Sequence, residues 1–125
     1  MKDQDQILVS LVKNIVEESN KKKADNILVY RLNDTTLADY IVIVSVSNRI
    51  HCKSMTDNIE SCIQNYIKTN KSDELHQHPK IAGTAESGWI ILDVNGVVVH
   101  VVLDEIREFY GLDEFLETKA IVYHL

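Results

Sequence analysis

Residues 89 to 103 read Trp89-Ile90-Ile91-Leu92-Asp93-Val94-Asn95-Gly96-Val97-Val98-Val99-His100-Val101-Val102-Leu103. Two apolar, β-branched segments flank Asn95-Gly96, the dipeptide best suited to place both central residues of a type I′ turn at positive φ. The run predicts a two-residue hairpin. In that register Val94 pairs with Val97, Asp93 with Val98 and Ile91 with His100, which leaves Asp93 and His100 diagonal on one face.

Outward from the hairpin, Tyr40 to Val46 is a second seven-residue apolar run, and Asn26 to Arg31 a shorter β-branched and aromatic one. Asn33-Asp34-Thr35-Thr36 between them has turn chemistry, so these two strands are expected to pair antiparallel. Leu8, Leu11, Val12, Ile15 and Val16 repeat at three and four, predicting an amphipathic helix from Asp5 to Ser19, with Lys21 to Lys23 near its C-terminal end. Met55, Ile59, Cys62, Ile63, Tyr66 and Ile67 keep the same spacing and predict a long helix covering residues 54 to 68.

The stretch from Asn70 to Glu86 holds no period and contains Pro79 and Gly83, so it reads as a connecting loop. Asp104 to Tyr110 reads as a short helix that Gly111 closes, after which the chain turns. Lys119 to Leu125 fits an edge strand or a packed tail equally well. Together these elements predict an α/β (α+β) fold, a mixed sheet flanked by helices, in one domain spanning residues 1 to 125.

Apolar residues at 45% and charged residues at 26% are those of a water-soluble globular chain. The longest apolar runs are far short of the roughly 20 residues of a spanning helix. No signal or transit pattern opens the chain, so a cytoplasmic protein is expected without membrane contact. Net charge is -6, and residues 81 to 125 carry all the excess, with 2 Lys+Arg against 8 Asp+Glu. Such a surface repels phosphate backbones and attracts basic proteins, which disfavours direct nucleic-acid binding.

Catalytic devices are scarce. No nucleophile elbow, P-loop, dinucleotide fingerprint or H-E-x-x-H motif occurs. Asp93 with His100 could do acid-base work, but a structural hydrogen bond accounts for the pair as well. Cys52 and Cys62 fall on one predicted helix about 15 Å apart by helical rise, so they cannot bridge, and with His76 and His78 they lack zinc-ligand spacing. No cofactor and no metal is expected. Trp89, with Tyr110 and Arg107 downstream, could be core packing or the aromatic anchor of an interface.

Tyr40-Ile41-Val42-Ile43, Ser45-x-Ser47-x-Arg49-x-His51, Trp89-Ile90-Ile91-Leu92-Asp93, Val99-His100, Arg107-x-x-Tyr110 and Leu112-Asp113 occur in one order that resembles the ribosomal silencing factor (RsfS/Iojap) family. The resemblance covers about residues 4 to 116 and leaves 117 to 125 as a tail. It implies a nucleotidyltransferase-like fold without catalytic groups and a homodimer when free. It also implies binding to large-subunit ribosomal protein L-fourteen, which blocks the small subunit from joining and represses translation under nutrient limitation. The binding role implied falls chiefly on Trp89, Tyr110 and Leu112, with Asp93, His100 and Arg107 in support. The chain departs from the family pattern at Val46, where glycine is usual, at Ala82, where an acidic residue is common, and in the ending Tyr110 to Leu116. The alternative from another class is a divergent metal-dependent nucleotidyl or phosphoryl transferase.

Overall fold

The computed structural model describes residues 4–32, 39–70, 78–117 and 120–122. Within them the chain runs α1 (Gln4–Lys21), β1 (Asn26–Leu32), β2 (Tyr40–Val46), α2 (Arg49–Asn70), β3 (Lys80–Thr84), β4 (Trp89–Asp93), β5 (Val97–Leu103), α3 (Asp104–Phe109), α4 (Leu112–Glu117) and β6 (Ala120–Val122). The strands form one six-stranded mixed sheet in the order β3-β4-β5-β2-β1-β6. Only the central β2–β5 pairing is parallel; the other four are antiparallel. This is the α+β sheet flanked by helices that the periodicities predict.

The β4–β5 hairpin forms in the expected register, with Asp93 opposite Val98 and Ile91 opposite His100. Asn95 and Gly96 have φ of 63° and 118°, and the Val94 N–H donates to the Val97 carbonyl at 3.0 Å, as a type I′ turn requires. Asp93 completes the turn by accepting the Asn95 N–H at 2.9 Å.

The two sheet faces are covered unequally. Alternate residues of the central strands, Val42, Val44, Val99, Val101 and Leu92 among them, point to the face that α1 and α2 cover. There Leu11, Val12 and Ile15 of α1 meet Met55, Ile59 and Ile63 of α2, all fully buried. Each such side chain contributes about 1.5–3 kcal/mol by leaving water. Asn48 caps α2, its Oδ1 accepting the His51 N–H at 2.8 Å. On the other face Tyr30, Leu32, Ile43 and Val102 pack with Leu116, and Ile106 and Leu112 lean on them from α3 and α4. These helices have only six residues each, too little to cover the sheet.

Two elements differ from expectation, and one that was left open is decided. Residues 80 to 84, read as loop, form edge strand β3, paired with β4 from Lys80↔Asp93 to Thr84↔Trp89. All five residues are exposed, so no buried-exposed alternation marked them. Residues 112 to 117 form α4, which the aperiodic ending Leu112-Asp113-Glu114-Phe115-Leu116 did not announce. Residues 120 to 122 take the strand alternative, with Tyr30 paired to Val122. Asp104 does begin α3, but Leu103 holds the cap position without a side-chain bond. The Asn33–Thr36 turn, His76 and most of the tail lie outside the described residues.

Candidate functional site

Strand alternation puts Trp89, Ile91 and Asp93 of β4 on the second face beside Val98, His100 and Val102 of β5. Trp89, Ile91, Asp93, Val98 and His100 are half-buried, since the short helices reach only part of this face. A groove of about 560 Å³ remains open here, lined by Ser87, Trp89, Ile91, Ile106, Phe109 and Tyr110.

Three aromatic rings and one imidazole run in series along it. The Trp89 Nε1–H donates to His100 Nδ1 at 2.9 Å. The Trp89 and Tyr110 rings lie 5.6 Å apart at 49°, and Phe109 meets Tyr110 edge-on at 5.0 Å and 83°. Phe109 is 80% exposed and Tyr110 60%, unusual for large apolar rings on so small a domain. Asp104, Glu105, Glu108, Glu114 and Glu117 are exposed on the same two helices.

The predicted site residues separate under this geometry. Trp89, Tyr110 and His100 come together in the aromatic series, whereas Leu112 packs inward with the Tyr30–Leu116 cluster and does not line the groove. Asp93 is engaged by the hairpin turn. Arg107 is only 7% exposed and grips Asp113 with two bonds, Nε to Oδ2 at 2.7 Å and Nη2 to Oδ1 at 2.9 Å. Its Nη1 donates to Ser45 Oγ at 3.1 Å, and Tyr30 donates to Asp113 Oδ1 at 2.7 Å, so the ion pair clasps α3 and α4 to β1 and β2. Arg107 thus shapes the site from beneath. Phe109, Ile91, Ile106 and Ser87 belong to the groove but were not singled out from sequence. Phe109 had one legible sign, an apolar ring beside Tyr110 in a helix whose other exposed residues are acidic.

Burial pushes the His100 imidazole down to about 4, so it is neutral at physiological pH. The Arg107 guanidinium holds Asp113 below the ordinary carboxylate range, while burial and the neighbouring Asp25 carboxyl raise Asp104. Cys52 is buried and raised by that burial; burial and the nearby Glu18 and Glu17 push Cys62 up to about 11, so both thiols are weak nucleophiles. Among the described residues no three His, Cys, Asp or Glu side chains converge as metal ligands, and no helix is long and apolar enough to cross a membrane.

A single mixed sheet, helices on both faces and an open aromatic groove define a one-sheet α+β fold with exposed aromatic rings at the β4–α3 corner. The chain belongs to the ribosomal silencing factor family: the family described as "Ribosomal silencing factor during starvation" matches residues 5–122. It is 28% identical over 106 residues to the Bacillus subtilis ribosomal silencing factor RsfS, covering 84% of this chain and 83% of that one. An uncharacterized Caenorhabditis elegans protein is 26% identical over 104 residues, 82% of this chain and 53% of the worm protein. Crystal structures from Chromobacterium violaceum (TM-score 0.71, 19% identity, 94% of this chain and 88% of that one) and Bacillus halodurans (0.68, 18%, 93% and 98%) share the fold.

Proposed function

We propose that the chain is a non-catalytic cytoplasmic factor that docks on ribosomal protein L-fourteen of the large subunit and stops the small subunit from joining. Translation is thereby repressed, with nutrient limitation as the occasion. The observation that carries the reading is the open groove, where Phe109 and Tyr110 stand in water beside a half-buried Trp89. Exposed aromatics are the residues that supply affinity at protein interfaces. The acidic side chains around them suit a basic ribosomal protein and repel bare phosphate. When no ribosome is available, a second copy of the chain covers apolar surface in a homodimer.

Co-sedimentation with purified large and small subunits, followed by a subunit-joining assay, tests this. The chain is expected to pellet with large subunits only and to block joining. Tyr110→Ala and Phe109→Ala, which remove exposed rings, should each weaken binding by about 2 kcal/mol. Normal binding and blocking by both folded variants would place the docking surface elsewhere. Normal binding with loss of blocking would refute occlusion alone. Sedimentation equilibrium of the free chain reads the dimer.

A further inference from the structure

We infer that His100 is the positioning residue of the aromatic groove: its Nδ1 accepts the Trp89 indole N–H and fixes the ring at the angle at which it meets Tyr110. The role presupposes the docking reading above and specifies how its central ring is held.

Three observations support it. The register places His100 opposite Ile91, hence diagonal to Trp89 on the same face, so the bond is built by the hairpin and not by a mobile loop. The bond is short, at 2.9 Å, and the two rings lie 6.0 Å apart at 48°, with Trp89 then 5.6 Å from Tyr110. Indole nitrogen can only donate. Its partner must therefore be the neutral imidazole with the proton on Nε2, and the bond is lost when Nδ1 is protonated. Burial keeps the imidazole in that neutral form.

Other titratable groups share this face: Asp93 on β4, Lys80 paired opposite it on β3, Tyr30 on β1, Asp104 and Arg107 on α3, and Asp113 and Glu117 on α4. Asp93 is engaged by the turn, and Arg107, Asp113 and Tyr30 bond one another. None of them takes the indole N–H, which leaves His100 as its acceptor.

Trp89 is the only tryptophan, so its indole N–H gives one resonance in a nitrogen-proton NMR spectrum. In the free parent at neutral pH that proton should exchange slowly with solvent. His100→Asn, whose amide oxygen stands near the Nδ1 position, should retain the protection; His100→Leu should lose it. In large-subunit binding the asparagine variant should stay within about threefold of the parent and the leucine variant weaken by about tenfold, as expected for one lost hydrogen bond. A rapidly exchanging indole N–H in the parent, a measurement needing no variant, would overturn the inference whatever the ribosome assay shows. So would protection that survives in His100→Leu, or a leucine variant that loses protection yet binds as the parent does. Trp89→Ala, run beside them, separates the two readings: if it too binds normally, the docking surface itself is wrong.

Discussion

At the scale of single residues, the part-buried Arg107–Asp113 pair and the half-buried His100 set the sharpest expectations. Arg107→Met leaves Asp113 without its cation and Ser45 Oγ without its donor, which should cost about 3 kcal/mol in urea unfolding. Arg107→Met combined with Asp113→Leu should recover part of that loss, because no charge is then stranded. The pH dependence has a defined sign. His100 titrates near 6.5 when unfolded and at about 4 when folded, so the unfolded chain binds more protons between those values. Its contribution is complete above pH 6.5 and declines as pH falls toward 4, by roughly 2 kcal/mol once partial exposure is allowed for. Asp113, held low by Arg107, adds its loss at still lower pH. Urea midpoints of the parent should fall more steeply between pH 6.5 and 4 than those of His100→Asn. Trp89 and Tyr110, singled out from their types and spacing, do stand together in the aromatic series. The inward turn of Leu112 and the burial of Arg107 were not legible, because both depend on α4, a six-residue helix too short to show a period and held by Leu116 as well as by the Asp113 ion pair.

At the scale of elements, turn chemistry and hydrophobic spacing were read correctly wherever an element buries one clear face. The two long helices are of this kind, and the β4–β5 hairpin and the antiparallel β1–β2 pair were legible from turn chemistry and strand-length apolar runs. Strand β3 has no such face, and its identity comes from the backbone of β4 beside it. Gly83 is the residue that permits this contact: at φ +84°, a Cβ placed there would stand 2.1 Å from the Trp89 carbonyl oxygen. Gly83→Ala is therefore expected to detach β3 from β4 and to cost about 2 kcal/mol, because backbone strain adds to the clash. Amide hydrogen exchange should show the loss of protection confined to residues 80 to 84 and to Trp89 and Ile91. Protection unchanged across β3 would mean that the strand is held by something other than this close approach.

At the scale of the whole molecule, the uneven charge and the sheet order matter most. The acidic excess of residues 81 to 125 lies in the segment that carries α3 and α4, so added salt should slow association with large subunits more than it speeds dissociation. Stopped-flow association at several salt concentrations checks this. The sheet order has a temporal consequence. Its centre is the parallel β2–β5 ladder, where Tyr40 meets Val97, 57 residues on, while the hairpin beside it closes over two residues. Closing so long a loop is entropically costly before any contact rewards it, so chain topology makes that ladder the slow event of folding. Val44→Ala and Val101→Ala, both in the ladder, should lower the refolding rate, whereas Tyr110→Ala should leave it unchanged. A nascent chain accordingly has its β1–β2 hairpin in hand early, but must wait until β5 has left the ribosome before the centre of its sheet can form.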